Sequence, residues 1–220
     1  MLRNIRGQIA VAIKELGLVF DRWGANLTYN DIVSAKLSPH RTIVPFEGIS
    51  QVLTPTTRMS YLASLNGRVE TGDKTILGDN VVAMGQMGAI RIGSNCIICD
   101  CAVLSGTFSM TNVAGSLNIG NEVYVGEKCV LTSCTIDDGA HIGMGSTVEE
   151  GVVIHRRAIV EPNSFVGAGY VLEADCVYGG RQLTKLRAAT EEDRKRVEKE
   201  KRDALEYCQL LEEQAFMKFT

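Results

Sequence analysis

Imidazole and thiol are the groups of this chain with chemistry beyond packing, and both are sparsely placed. Three histidines occur, His40, His141 and His155. None pair at the short spacing that lets one turn offer two imidazoles to a metal, so a zinc site of three local histidines cannot be assembled. The seven cysteines fall at 96, 99, 101, 129, 134, 176 and 208. Cys96, Cys99 and Cys101 form the one dense soft-ligand cluster, and they are the weak metal candidates that spacing alone offers. No second cysteine pair has a matching spacing, which favours structural thiols over a metal site. An odd count without the spacing of a secreted disulfide framework points to a reducing compartment. G-x-S-x-G, Walker A and G-x-G-x-x-G stretches are all missing, so hydrolase, nucleotide and dinucleotide chemistry have no foothold.

The elements that must carry these groups are set by a repeat. Aliphatic residues recur every six positions at Ile92, Ile98 and Leu104, then at Ile119, Val125 and Leu131. After one five-residue step the series continues through Ile136, Ile142, Val148, Ile154, Val160, Val166, Leu172 and Tyr178. Four residues beyond each lies a mostly small side chain, including Cys96, Ala102, Val123, Cys129, Thr135, Ala140, Ser146, Val152, Ala158, Ser164 and Cys176, with Tyr170 the large exception. A period of six fits neither an amphipathic helix nor an alternating strand. It fits short rungs joined by tight corners, wound as an all-β solenoid in which each rung satisfies its backbone on the rungs above and below. Gly93, Gly120, Gly126, Gly143 and Gly167 are expected to ease the bends. Between Thr42 and Ala89 the pattern weakens to one clean unit, Leu77-Gly78-Asp79, which predicts irregular early coils. Residues 106–118 interrupt the series and are expected to form a loop leaving the solenoid.

Both ends read as helical. Ile5, Ile9, Ala12, Leu16, Val19 and Trp23 form a stripe that stops near Gly24, and the first 14 residues carry basic but no acidic side chains, a pattern that also suits an organelle-targeting signal. At the other end Thr190-Glu191-Glu192-Asp193 has the form of a capped helix start. Val197, Ala204, Cys208, Leu211 and Ala215 then make a narrow apolar stripe that would lie along the prism. The domain reading is 1–41 as an N-terminal amphipathic helix and extended segment, 42–180 as the β-helix, and 181–220 as a C-terminal helix packed on it. A net charge of −3 over 220 residues leaves no broad basic surface for nucleic acid. No stretch approaches the roughly 20 apolar residues of a membrane span, so any membrane association is expected to be peripheral.

Several segments resemble gamma-class carbonic anhydrases: HIGMGSTVEEGVVI (141–154), VYGG (177–180) and the helix after LTKLRAATEED. IRGQIAVAIKELGLVFDRWGANL and LSPHRT (37–42) are similar to the N-terminal segment of the mitochondrial branch, the gamma-carbonic-anhydrase-like subunits of respiratory complex I. The resemblance implies a left-handed parallel β-helix, a triangular prism of hexapeptide repeats, against the usual right-handed crossover rule. It also implies a trimer with zinc at subunit interfaces, held by two histidines of one subunit and one of its neighbour. By alignment on Ile92-Gly93 and Val125-Gly126, the three ligand positions fall at Ser105, Glu127 and Thr132, and all three are replaced. The stretch Met84-Gly85-Gln86-Met87-Gly88-Ala89 is shortened where the family carries an Arg and an Asp. Cys99 stands where the family has a Gln near zinc, and Asp100 matches.

Catalytic zinc needs about three protein ligands to be held and to acidify its water. The resemblance therefore implies a non-catalytic, structural and assembly subunit of mitochondrial complex I. It would form a heterotrimer with related chains on the matrix side of the inner-membrane arm. No cofactor is expected in this chain, and zinc is expected only at an interface between two partners that keep their histidines. One alternative is a carbonic anhydrase that uses Glu127 with two partner histidines. The other is a hexapeptide-repeat acyltransferase in which His141 or His155 acts as the base.

Overall fold

The computed structural model describes residues 43–44, 51–107, 115–211 and 216–218. The expected N-terminal helix, the basic leading segment and His40 lie outside these residues. The chain divides into two compact units, Met1–His40 and Arg41–Thr220, and the second contains the solenoid.

Strand β1 (Ile43–Val44) precedes the winding. The first coil carries β2 (Arg58–Ser60) and β3 (Ser64–Thr71), and the second carries β4 (Ile76–Leu77) and β5 (Val82–Ile92). The third has β6 (Ile97–Ile98), β7 (Val103–Ser105) and β8 (Leu117–Ile119), and the fourth β9 (Tyr124–Val125), β10 (Val130–Thr132) and β11 (Thr135–Ile136). The fifth has β12 (His141–Ile142), β13 (Thr147–Val148) and β14 (Val153–Ile154), and the sixth β15 (Ile159–Val160), β16 (Phe165–Val166) and β17 (Val171–Leu172). Strand β18 (Cys176–Gly179) opens a further coil. Strand β19 (Thr184–Ala188) then turns back antiparallel to it, followed by helix α1 (Glu191–Leu211) and β20 (Phe216–Lys218).

Between β2 and β18 the rungs pair in parallel with those of the adjacent coils, β16 and β17 ending the second and third faces, which gives the left-handed parallel β-helix of about six coils that the repeat predicts. The first face stacks β2, β4, β6, β9, β12, β15 and β18. The second holds the leading halves of β3 and β5 with β7, β10, β13 and β16. The third holds their trailing halves with β8, β11, β14 and β17. The early coils are more regular than the sequence suggests. Strands β3 and β5 run straight through the corner between the second and third faces, so the six-residue unit is hidden there. Their register slips where Gly67 pairs Gly85 but Val69 pairs Ile90, leaving Gln86–Ala89 as a bulge.

The predicted inward residues form one core: Ile98, Leu104, Leu131, Ile136, Ile142, Val148, Ile154, Val160, Val166 and Leu172 are all buried. The small-residue slots hold Cys96, Ala102, Cys129, Ala140, Ala158 and Cys176. At the five-residue step the slot goes to Cys134, which is buried, and Thr135 is displaced to the half-buried outer side. The interruption is also shorter than expected, because Leu117 and Asn118 already belong to β8.

The corner glycines have a different role from the one expected. Left-handed backbone is supplied largely by other residues, among them Asn80, Asn95, Glu122, Lys128 and Asn163. Gly126 and Gly143 are required by close approach of the next coil: a Cβ would lie 2.6 Å from the Met144 nitrogen and 2.5 Å from the Pro162 nitrogen respectively. Gly167 has no such neighbour, its nearest being 3.7 Å away.

Helix α1 begins as predicted. The Thr190 hydroxyl accepts the Asp193 N–H at 3.3 Å, and the Asp193 carboxylate accepts the Thr190 N–H at 3.0 Å, a reciprocal cap. Val197 packs with Ile159 and Val177, which seats the helix on the first face. Two strands that the sequence reading did not anticipate, β19 and β20, flank it. Among the described residues no helix is long and apolar enough to cross a membrane.

Candidate functional site

Ser105 ends β7 and Thr132 ends β10, and the two are direct register partners on adjacent rungs of the second face. Met84 pairs with Ser105 on the other side, so Met84, Ser105 and Thr132 form one outward column. Adjacent rungs are about 4.8 Å apart, which brings the two hydroxyl-bearing residues to one spot. Glu127 is not part of that spot. It is exposed at the corner that precedes β10, where its carbonyl accepts the Gly145 N–H at 2.7 Å. The chain thus brings two of the three positions together and sets the third at the opposite edge of the same face.

The chemistry of that set is weak for a divalent metal. Two neutral hydroxyls and one exposed carboxylate offer no imidazole and no thiolate. Asp100 is committed to the backbone: its carboxylate accepts the Asp79 N–H at 2.8 Å. Cys99 shares a side-chain hydrogen bond with Tyr124, whose hydroxyl is pushed far above its ordinary range by burial first and by Cys99 second.

The cysteine cluster does not converge. Cys96 lies in the core and its thiol donates to the Gly120 carbonyl at 3.0 Å, while Cys101 is exposed at a left-handed corner. Burial pushes the thiols of Cys96 and Cys129 up to about 11 and that of Cys134 to about 12, which holds them protonated at neutral pH. Among the described residues no group of three or more His, Cys, Asp or Glu side chains is placed to hold a metal ion.

The two described histidines have opposite environments. His141 occupies the outward column of the first face at a site that reads Ile97, Tyr124, His141 and Ile159 along successive rungs. It is buried under α1, stacked on Tyr124 at 4.8 Å and 4°, with Nε2 2.9 Å from the Glu200 carboxylate. Its Nδ1 is buried without a partner. That contact is the chief reason that the Glu200 carboxyl is held below the usual carboxylate range. His155 lies at the opposite corner, half exposed, with Nδ1 2.9 Å from Asp137.

One residue that sequence reasoning missed closes the neck of the 106–116 excursion. Ser133 takes a φ of 38°, accepts the Thr107 N–H at 2.7 Å and donates to the Gly115 carbonyl at 2.9 Å. The five-residue step between Leu131 and Ile136 was its signal, since a shortened corner must be stabilised by something beside it.

Comparison with known proteins agrees with this architecture. Residues 133–168 match the model of the bacterial transferase hexapeptide (six repeats). The chain is 29% identical to gamma carbonic anhydrase 2, mitochondrial, of Arabidopsis thaliana, over 82% of this chain and 66% of that protein. Gamma carbonic anhydrase 1, mitochondrial, of the same plant is 28% identical over the same shares. The chain thus spans just under two thirds of the length of these curated relatives. Among solved structures, a hexapeptide transferase family protein from Anaplasma phagocytophilum superposes with a TM-score of 0.70 at 25% identity, covering 76% of this chain and 96% of that one. A putative acetyltransferase from Bacillus cereus gives 0.69 at 25% identity, covering 76% and 95%. The chain is a hexapeptide-repeat β-helix whose relatives include mitochondrial gamma carbonic anhydrases.

Proposed function

We propose that this chain is a non-catalytic structural subunit of a gamma-carbonic-anhydrase-like trimer, attached peripherally to the matrix side of the membrane arm of mitochondrial complex I. The observation that carries the reading is the ligand column itself. Ser105 and Thr132 stand together where a metal would be shared, and neither they nor Glu127 supplies an imidazole. The mitochondrial relatives support the compartment.

The second face supports the trimer. The first face is covered by α1, whereas the second presents Val82, Val103 and Val130 in register, with Phe165 41% and Met84 38% exposed. Such a stripe is buried when neighbouring prisms meet there, and the same contact sets one chain's Glu127 corner against the next chain's Ser105 and Thr132. Partners that keep histidines would then build zinc sites between themselves, leaving activity to the assembly and architecture to this chain. The test is native electrophoresis of tagged protein from mitochondria. Co-migration with the intact respiratory complex is expected, and recovery solely as free protein overturns the reading.

A second reading, acyl transfer, is favoured by one observation. Asp137 fixes His155 through Nδ1, leaving the other ring nitrogen of a half-exposed imidazole available as a base. Acyl-coenzyme A turnover by the purified chain that disappears in His155→Gln would establish it. The other enzymatic arrangement, Glu127 completing a partner's two histidines, would show as zinc bound only by the mixed trimer and lost in Glu127→Gln.

A further inference from the structure

The end of the chain returns to the beginning of the solenoid, and how it is fastened there bears on self-association. A stack of parallel rungs ends in edges whose unpaired N–H and C=O groups recruit other strands. On the first face both edges are filled by antiparallel strands from the C-terminal segment: β19 pairs with β18 at one end, and β20 pairs with β2 at the other. Helix α1 connects them, and its 21 residues span about 31 Å, close to the roughly 29 Å of six rung spacings between β18 and β2.

The fastenings are unequal. The first part of α1 is held by Asp193 on Arg187, by Arg196 on Glu161 at 2.8 Å, by Glu200 on His141 at 2.9 Å, and by Lys201 on the Glu122 carbonyl at 2.6 Å. From Arg202 to Tyr207 only Ala204 is half buried and the rest are exposed. No basic residue in the last turn offsets the helix dipole. Beyond Lys201, the chain returns to the prism through the three-residue pairing of β20 with β2. A pairing of only three residues offers few hydrogen bonds to offset the backbone entropy lost on ordering the strand.

We propose that β20 is a releasable strand, and that the β2 edge is an acceptor for the same strand from a second copy of this chain. Exchange reproduces the register Arg58↔Lys218, Met59↔Met217 and Ser60↔Phe216 without any new contact, which is what makes strand swapping inexpensive. In a single chain the tether keeps the tail at high effective concentration, so the closed form dominates in dilute solution and exchange grows with protein concentration. The proposal does not depend on the scaffolding reading.

Two experiments on the full chain test it. The Arg58 N–H donates to the Thr75 carbonyl at 2.9 Å on the β4 side, so the alternate amide, that of Met59, is the one that faces β20. In hydrogen exchange the Met59 amide is expected to exchange at least ~10-fold faster than those of His141–Ile142, and faster again in Met217→Pro with the latter unchanged. Equal protection of the Met59 amide in wild type and Met217→Pro would show that β20 does not close this edge, and would overturn the proposal. For exchange itself, Arg58→Cys and Lys218→Cys are made separately, with different tags, in a background carrying Cys101→Ser and Cys208→Ser. Mixed at high concentration under oxidising conditions, they are expected to give a mixed disulfide dimer, because register partners across an antiparallel pair lie within bridging distance. If the double variant forms its intrachain bond and the mixture gives no mixed dimer, exchange between copies is ruled out.

Discussion

Replacing Gly143 by alanine tests whether coil spacing, rather than backbone flexibility, explains the corner glycines. The added Cβ would sit 2.5 Å from the Pro162 nitrogen, 2.8 Å from the Glu161 carbonyl carbon and 2.8 Å from the Pro162 Cδ. Comfortable contact is about 3.5 Å, so the two coils must separate locally by about 1 Å. The rungs on either side resist, since the Gly143 N–H donates to the Val160 carbonyl at 2.8 Å. Overpacking of this kind costs about 3 kcal/mol, which lowers the melting temperature by about 6–12 °C for a domain of this size. Gly167→Ala is the control. Its Cβ meets nothing closer than 3.7 Å and its φ is not left-handed, so the restricted unfolded chain should raise the midpoint by about 1–4 °C. Thermal melts followed by circular dichroism measure both. Equal shifts for the two variants, or no loss for Gly143→Ala, would refute the close-approach argument.

Other consequences are direct. Leu131→Ala removes a fully buried side chain from a continuous core and is expected to cost about 2–5 kcal/mol in denaturant titration. Thr190→Ala breaks the reciprocal cap and should cost about 1 kcal/mol, visible as faster exchange at the start of α1. The Asp193 carboxyl is held low by the Thr190 N–H, and that of Glu200 by His141. Their contributions are therefore present above the ordinary carboxylate range and are lost as pH falls through the depressed values, so α1 should loosen in acid before the solenoid melts. On the native protein a thiol reagent should label exposed Cys101 quickly, and should reach Cys96, Cys129 and Cys134 only on unfolding. Deleting residues 1–24 should weaken incorporation into the larger complex while the circular dichroism of the solenoid is retained.

Much of the fold was legible because the six-residue period imposes a side chain's direction at each rung, and outside the 106–116 interruption the aliphatic positions from Ile92 to Tyr178 are buried as it predicts. Legibility failed where geometry is set by a neighbouring coil. The straight run of β3 and β5 through a corner, the displacement of Thr135 by Cys134, and the stapling of the excursion by Ser133 all depend on residues 17 or more positions away along the chain. Strand β20 was illegible for another reason: nothing in Phe216–Lys218 specifies a partner, and the length of α1 decides which edge it meets. Of the candidate site, the family resemblance implied the positions Ser105, Glu127 and Thr132, and the structure pairs Ser105 with Thr132 and sets Glu127 apart. The burial of His141 beneath Glu200 could not be read from spacing, since the two lie 59 residues apart.

The absence of imidazoles from the shared-metal positions is tested most directly by metal analysis of the chain purified alone after expression in zinc-supplemented medium. Zinc is expected only at the level of a non-binding control protein, with no hydration of carbon dioxide. One tightly held zinc per chain, retained through dialysis and lost in Glu127→Gln, would contradict the account.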